Sequence, residues 1–409
     1  MKVPCYDCNT VTELEVGFKV VNFVCPNCHS LYSADSEGQL RLQSKFKPEV
    51  NYFAFKIGDK GVLRGITYTV TGSITKKVNG GYNWTEYILT NDAGEFVYLS
   101  ESDGNWILLK ETDEKFDVKR HPKSISYDNS SFYLYEYSDP EIDNVQGYFD
   151  FVLPTKRIHV VEYIQPPLMI SIEKMNDVET AFLGEYITKG EIKKAFPSAV
   201  LPYQYGVNIV QPYYFDVNNT AIIFCVVILM ILTTNWFIYK DQTEQVVFNK
   251  AIAFTDFNDR EITSESFILN GGSAPITIRV STDVDNSWAN LDVAIVDEKT
   301  NDEIHANKDI EYYHGYEDGE SWIEGSWSEK FNICGVKQGK YHLLIKPLKA
   351  PEDLKNNKMN IKVIWNEPSN RNVWFIVIFM IIVYVLIRYL RINFEKKRWE
   401  DSSYSPYSE

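Results

Sequence analysis

The stretch AIIFCVVILMILTTNWFIY, residues Ala221–Tyr239, carries no charged residue and is long enough to cross a lipid bilayer. An α-helix rises about 1.5 Å per residue, so ~20 residues span a hydrocarbon core of roughly 30 Å. A second run, Val373–Ile387 (VWFIVIFMIIVYVLI), reaches that length if Arg388 and Arg391 extend their charges to the lipid headgroups. We therefore predict two transmembrane helices, over residues 220–239 and 373–390.

A buried helix of a soluble core is the alternative interpretation of either run. Such a helix normally carries a polar stripe, and Ala221–Ile231 has none. Aromatic side chains, which are enriched at membrane interfaces, occur at or near the ends of both runs: Trp236, Tyr239, Trp374 and Tyr384. The pattern favours two membrane spans, which divide the chain into three water-exposed pieces.

The orientation in the membrane is predicted from the charges beside the second run. Five basic residues follow it: Arg388, Arg391, Lys396, Lys397 and Arg398. Positive charge favours the cytoplasmic side. We expect a bacterial inner or cell membrane protein with both termini in the cytoplasm, including a tail over 391–409, and with residues 241–371 on the extracytoplasmic side.

Four of the six cysteines lie in the first 28 residues, as two C-x2-C pairs separated by 16 residues: Cys5, Cys8, Cys25 and Cys28. This spacing predicts a structural zinc site with four thiolate ligands, in a zinc ribbon over 1–32. Two disulfides or an iron centre are the alternatives. Thiolates require a reducing compartment, which agrees with a cytoplasmic N-terminus. The alternating segment Val11–Val24 predicts a hairpin between the two pairs.

The net charge of −15 disfavours nucleic acid as a partner, because nucleic-acid-binding ribbons use a basic face. We therefore expect no nucleic acid to bind, and the ribbon to act as a small scaffold. A membrane-tethered nucleic-acid-binding ribbon is kept as an alternative function.

Residues 50–197 are predicted to form a cytoplasmic antiparallel barrel or curved sheet with one helix. Runs of β-branched and aromatic residues alternate there with turns such as Asn79-Gly-Gly81 and Asn91-Asp-Ala-Gly94. The periodicity then changes, so that Val178–Phe196 is predicted to be helical and to end at Pro197.

The same region resembles a known bacterial family, the domain of unknown function 4178. The resemblance covers about residues 53–197 and is carried by these segments: Lys56-Ile-Gly-Asp-Lys-Gly61, Gly65-Ile-Thr-Tyr-Thr-Val-Thr-Gly72, Trp84-Thr-Glu-Tyr-Ile-Leu89 and Leu183-Gly-Glu-Tyr186. It departs at Gln146-Gly147 and Phe149-Asp150, where the family pattern often has Glu-Gly followed by Pro-Trp. The family has no established activity, and the resemblance implies a membrane-associated accessory role.

Trp84 and Glu86 are the sharpest candidates for chemistry, since both lie on one face of a predicted strand. Glu86 is either an acid or base beside an aromatic platform, or the partner of a buried hydroxyl or lysine, and we favour the second interpretation. The histidines are predicted to be isolated, and no nucleophile, phosphate-binding or dinucleotide-binding motif occurs. An enzyme with its site around Glu86 therefore stays an alternative function, and no catalytic residue is assigned.

Residues 255–367 are predicted to form an extracytoplasmic β-sandwich, since four or more alternating strands follow one another there. The segment Asp309–Glu324 is predicted to be a loop rich in acidic and aromatic residues. It is either simply solvated or a site for a cation, a polyamine or a sugar.

Together these features predict a mainly β, non-enzymatic membrane protein with an accessory, scaffolding or sensing role that is envelope-related. It would couple a cytoplasmic zinc ribbon and β domain to the outer sandwich and bind a protein partner in the membrane or cytoplasm.

Overall fold

The computed structural model describes residues 2–14, 17–46, 53–78, 81–154, 157–175, 178–240, 244–256 and 261–407. The chain forms two compact units, of which unit 1 contains Met1–Asn218 and Val385–Glu409 and unit 2 contains Asn219–Tyr384. Strands dominate both units, so the mainly β prediction is confirmed. The predicted turn at Asn79-Gly-Gly81 lies largely outside the described residues.

The N-terminal part of unit 1 contains five short strands: β1 (Lys2–Pro4), β2 (Val11–Glu13), β3 (Asn22–Val24), β4 (Ser30–Ala34) and β5 (Leu40–Lys45). The predicted hairpin over Val11–Val24 is wrong, because β2 pairs with β1 while β3 pairs with β4. A C-x2-C turn folds its own flanking strands against each other, so each cysteine pair joins its own two strands.

The rest of unit 1 before the first long helix contains eleven strands and a short helix: β6 (Lys60–Leu63), β7 (Ile66–Lys77), β8 (Asn83–Asn91), β9 (Phe96–Ser102), β10 (Asn105–Thr112), β11 (Ser124–Tyr127), β12 (Ser130–Ser138), β13 (Glu141–Phe149), β14 (His159–Gln165), β15 (Leu168–Met175), β16 (Val178–Tyr186) and α1 (Lys189–Ala195). Their sheet has the order β11-β12-β14-β15-β16-β10-β9-β8-β7-β13-β3-β4-β5, with β6 added on β7. Strands β3–β5 therefore continue the sheet formed by β6–β16, which together with α1 we call the β body, whereas β1 and β2 form a separate two-stranded sheet.

The helix predicted over Val178–Phe196 is wrong for its first half. Val178–Tyr186 is strand β16, which pairs with β15 on one side and β10 on the other. The pairing satisfies its backbone on both edges, and that outweighs the local helical pattern. The helix begins only after Thr188, whose side chain accepts a hydrogen bond from the Glu191 backbone N–H while the Glu191 carboxylate accepts one from the Thr188 N–H.

Side chains on the two faces of β7–β10 have different surroundings. One face packs against α1 and the segment around Phe55 in a core that contains Tyr87, Trp106 and Phe196. Gly61 on β6 allows this packing, because a Cβ there would lie 2.5 Å from the Phe196 ring. The opposite face lines a cavity, and the charged residues described below project from that face.

Unit 2 contains ten strands between two long helices, which also extend into unit 1: α2 (Val217–Tyr239), β17 (Gln245–Ala253), β18 (Ile262–Thr263), β19 (Phe267–Leu269), β20 (Ala274–Thr282), β21 (Ser287–Asp297), β22 (Glu303–Glu317), β23 (Glu320–Gly325), β24 (Ser328–Val336), β25 (Gly339–Lys349), β26 (Lys358–Trp365) and α3 (Arg371–Arg398). One antiparallel sheet has the order β17-β26-β20-β24, and the other has the order β18-β25-β21-β22-β23 with β19 on β25. Both sheets contribute to one hydrophobic core, for example Ile276 and Val363 from the first and Leu291 and Leu343 from the second.

Helices α2 and α3 are long and apolar enough to cross a membrane. None of the most apolar 18 residues of α2 is buried, and 11% of those of α3 are. A core helix of a soluble protein would bury this surface, so the exposure of both helices favours an apolar environment outside the protein.

The acidic segment Asp309–Glu324 is not a loop, contrary to the prediction. It forms the hairpin of β22 and β23, with its turn at Asp318 and Gly319. Aromatic residues favour strand pairing, and Trp322 packs over Gly315 on the facing strand. All six residues of β23 are exposed, so the hairpin does not enclose its acidic side chains.

Candidate metal centre and buried charge cluster

The four predicted metal ligands lie together in unit 1. The Sγ atoms of Cys5, Cys8, Cys25 and Cys28 are all within 4.8 Å of one another. The Cys5–Cys28 and Cys8–Cys25 Sγ distances are 3.5 and 3.6 Å. A tetrahedral ion with metal–sulfur bonds of about 2.3 Å places its sulfurs about 3.8 Å apart. The cluster can therefore hold a metal ion, and its cysteines are free rather than disulfide-bonded.

The two cysteine turns have the same backbone geometry. The N–H of Asn9 donates to the Cys5 carbonyl, and the N–H of His29 donates to the Cys25 carbonyl. Asn9 and His29 both have a φ of 58°, in the left-handed region. His29 thus occupies the turn position equivalent to Asn9, which explains its place beside the last cysteine without making it a ligand.

Hydroxyl groups and a buried tyrosine surround the sulfurs. The Thr10 and Ser30 hydroxyls lie 3.3 and 3.2 Å from the Sγ atoms of Cys8 and Cys28, respectively. The Tyr32 hydroxyl lies 3.3 Å from Cys5 Sγ. Such partners orient the ligands of a metal site.

The environments of Cys8 and Cys25 shift the pKa values of their thiols in opposite directions. The hydrogen bond with the Thr10 hydroxyl lowers the pKa of the Cys8 thiol to about 5, whereas burial raises the pKa of the Cys25 thiol to about 12. Metal ions bind the thiolate form, so binding here would release a proton from Cys25.

A second cluster of charges lies on the inner face of the body. The Lys76 ammonium on β7 is 2.9 Å from Glu86 Oε2 on β8 and 2.7 Å from Glu173 Oε1 on β15. Trp84 Nε1 donates to Glu86 Oε1 at 2.8 Å. Glu86 therefore contacts a buried lysine, in agreement with the prediction that it is the partner of a buried hydroxyl or lysine. Burial acts to lower the pKa of Lys76, but the two carboxylates outweigh it and raise that pKa.

Glu162 on β14 completes the cluster. Burial, together with Glu173 and Glu86, raises the pKa of its carboxyl group to about 7. Neither Lys76 nor Glu162 is among the residues predicted from the sequence. Lys76 follows Ile74 at a spacing of two, so strand alternation could have placed it inside the body, but its partners come from distant strands.

The histidines are not all isolated, contrary to the prediction. The Nε2 atoms of His121 and His159 are 3.3 Å apart, and His159 Nδ1 is 2.8 Å from Asp139. The loop before β11 places His121 beside His159, which is the first residue of β14. Sequence spacing does not reveal this contact.

The end of α3 is fixed to the β body within unit 1. The buried Arg398 guanidinium donates to the carbonyl of Ile209 at 2.8 Å and also to those of Asn208 and Gln211. Trp399 packs in a core with Tyr135, whose hydroxyl donates to the Arg398 carbonyl. From the sequence, Arg398 is predicted only to help orient the second helix, and its carbonyl partners lie far away in the chain.

The fold and these sites define a mainly β chain with a four-cysteine cluster able to bind a metal ion and with two helices apolar enough to cross a membrane. Residues 56–189 match the family model described as Domain of unknown function (DUF4178), so the predicted resemblance is confirmed over this part of the chain.

Gly147, at the point where the sequence departs from the family pattern, has a structural role. It lies on β13 between β7 and β3, and a Cβ there would come within 2.2 Å of the Thr71 carbonyl oxygen. The glycine allows the ribbon and the body to pair on the same strand.

Comparisons outside the family add no functional argument. No curated protein matches the chain. A solved structure of PNGF-II is similar at 10% identity and a TM-score of 0.20, covering 75% of this chain and 68% of that one. A structure of infectious bursal disease virus Gx strain is similar at 8% identity and a TM-score of 0.17, covering 86% and 71%. Likenesses at these scores do not bear on fold or function.

Proposed function

We propose that this chain is a non-enzymatic bacterial membrane protein with an accessory or sensing role. Its cytoplasmic ribbon and β domain would be coupled by α2 and α3 to an extracytoplasmic β-sandwich formed by the strands of unit 2. The observation that carries the proposal is the attachment of the α3 end to the β body through Arg398 and Trp399.

This attachment supports a topology in which both ends of the chain lie on the same side of the membrane. The β body precedes α2, and the residues after Val385 pack with it in one unit. A chain that crosses the membrane twice returns to the side from which it started, so both features agree. The basic residues at the end of α3 favour the cytoplasm as that side.

The same contact supports a coupling role. Trp399 belongs to a hydrophobic core with Ile107, Leu109 and Met169, and these three side chains also line the inner cavity of the body. A change in the packing of the cavity wall would therefore act directly on the end of α3, which runs as one continuous helix from Arg371.

For the metal we propose zinc, in a structural role. Four cysteine sulfurs fill a tetrahedral coordination sphere and leave no position for a reacting water. The ribbon strand β3 pairs with β13 of the body, so a metal that holds the ribbon would also hold this edge of the sheet.

Reporter fusions test the topology. A reporter fused at Asn301 is expected to respond as extracytoplasmic and one at Ser408 as cytoplasmic, because the two spans enclose unit 2. Alkaline phosphatase and green fluorescent protein fusions in a bacterial host measure this. The opposite readings, or equal readings at both sites, would overturn the proposal.

Replacement of Arg398 by methionine tests the attachment. Three carbonyl groups would lose a charged donor, so we expect chymotrypsin to cleave after Trp399 and Tyr404 at least about tenfold faster in the detergent-solubilised full-length protein. Lys396→Met removes an exposed charge two residues away and should leave the cleavage rate unchanged. Equal rates in the two variants would show that Arg398 does not fix the tail.

A pull-down of the full-length protein in mild detergent tests the role itself. A protein partner from the membrane or cytoplasm should co-purify with the wild type and be reduced with Arg398→Met. An enzyme would instead turn over a substrate and lose activity in Glu86→Gln while keeping its fold.

A further inference from the structure

The inner face of the β body surrounds a cavity of about 250 Å³. Strands β7–β10 and β13–β16 contribute its lining, largely at alternate positions, as the two-residue period of a strand requires. Small-molecule sites in proteins are concave, mostly apolar and equipped with a few polar groups. Since the pockets that hold drug-sized ligands have volumes of roughly 300 Å³ or more, this cavity suits a smaller molecule.

One region of the lining is polar and incompletely paired. Lys76 occupies one oxygen of Glu86 and one of Glu173. The adjacent residues Glu162 and Ser171 face each other in register on β14 and β15. Ser171 is 95% buried, and among the described residues neither side chain forms a hydrogen bond or a close ion pair, although the charge of Lys76 acts on Glu162 from a distance. Both are therefore available to a ligand in the cavity.

The charges that line the cavity determine which sign of ligand charge it favours. Its described lining contains five carboxylates and one cation, Lys76; the carboxylates are Glu86, Glu111, Asp150, Glu162 and Glu173. Burial raises the pKa of Glu111, Asp150 and Glu173, which means that the cavity disfavours their negative charges. A positive group would relieve this excess, whereas an anion would add to it.

The rest of the lining is apolar and aromatic. It includes Trp84, Phe96, Tyr98, Phe151 and Phe182. Aromatic faces attract organic cations, and apolar walls accept a hydrocarbon stem. A divalent metal ion fits less well, because it requires several free oxygen ligands and Lys76 already occupies two of the carboxylates.

We propose that this cavity binds a small organic cation, a protonated amine on an apolar stem, with the ammonium group at Glu162 and Ser171 and the stem among the aromatic side chains. The proposal concerns unit 1 alone and does not depend on the membrane topology. A negative binding experiment would therefore leave the proposed topology standing, and an unexpected topology would leave the proposed binding site standing.

Phenethylamine is a suitable probe, titrated calorimetrically into the detergent-solubilised full-length protein at pH 8. We expect saturable binding of phenethylammonium. The neutral isostere 2-phenylethanol and the anion 3-phenylpropanoate should bind at least tenfold more weakly, and CaCl2 should not compete. Failure of phenethylamine to bind, or equal binding of the alcohol, would overturn the proposal.

Glu162→Gln keeps the shape of the cavity and removes its unpaired charge. We expect this variant to fold, because burial disfavours that charge, and to bind phenethylammonium at least tenfold more weakly at pH 8. Glu179→Gln, at an exposed position of β16, is the matched control and should change the affinity less than twofold. Equal affinities in the two variants would contradict the assignment of Glu162.

The pH dependence gives an independent readout. The charged groups that act on Glu162 include Lys76, Glu86, Glu136 and Glu173, and its own charge acts on the hydroxyls of Tyr82 and Tyr135. Burial and these charges place the Glu162 pKa at about 7. Only the ionised carboxylate attracts the ammonium group, so the wild-type affinity should rise about tenfold from pH 6 to pH 8. Glu162→Gln should abolish this rise. A rise of the same size in that variant would overturn the assignment.

Discussion

Cys25→Ser is expected to reduce the bound zinc from about one equivalent per chain to none. The variant removes one of four ligands, and the apparent free energy of zinc binding to structural cysteine sites is about 10–16 kcal/mol. The Cys25 side chain is fully buried, and a serine hydroxyl at this position does not supply the thiolate that a four-cysteine zinc site requires. Metal analysis of the full-length protein, purified under reducing conditions, measures the stoichiometry.

The loss of metal should also unfold the ribbon. We expect rapid amide hydrogen exchange in β1–β4 of the Cys25→Ser variant, together with faster exchange in β13, which pairs with β3. Cys334→Ser alters an exposed cysteine in β24 and is the control, which should keep one zinc and native exchange. Wild-type protein without metal, or zinc retained in Cys25→Ser, would contradict the structural zinc site.

Lys76→Met is expected to destabilise the β body by about 3–5 kcal/mol. The lysine side chain is 3% exposed and pairs with Glu86 and Glu173, which would both remain in the interior without a counter-ion. Native-state hydrogen exchange of the full-length protein in detergent measures the effect as the opening free energy of amides in β7 and β8.

Two further variants distinguish loss of the ion pairs from other effects. Lys77→Met alters the next residue, which is 44% exposed and 3.9 Å from Asp143, and should cost less than about 1 kcal/mol. Adding Glu86→Gln and Glu173→Gln to Lys76→Met removes the unpaired charges and should restore much of the stability. If Lys76→Met behaves like Lys77→Met, the buried ion pairs do not stabilise the body.

Most strands of the body were predictable because their patterns are local. The run from Asn83 and the run from Asn105 alternate in side-chain character between turns rich in Asn, Asp and Gly, and both form strands. Val178–Tyr186 was not predictable in this way. Its pattern fits a helix, and only the two neighbouring strands, which come from elsewhere in the chain, make it a strand.

The cysteine cluster and the contacts of Lys76 and Arg398 also differ in how far local sequence patterns predict them. The four-cysteine cluster could be predicted because each pair is local and this cysteine spacing is typical of metal sites. Lys76 and Glu173 are separated by 97 residues, and Arg398 and Asn208 by 190. Their contacts depend on strand order and register, which a single sequence does not encode in any short pattern.

Features that arise from neighbouring residues could be predicted from the amino-acid order alone: two largely apolar helices long enough to cross a membrane, a four-cysteine cluster able to hold a metal ion, and alternating strands. The three-dimensional fold was needed to show that β3–β5 extend the sheet of the body, that a lysine and three glutamates meet inside it, and that the end of the last helix binds its surface. Helix formation and turn geometry act over a few residues, whereas a cavity and its charges are assembled from strands far apart in the chain.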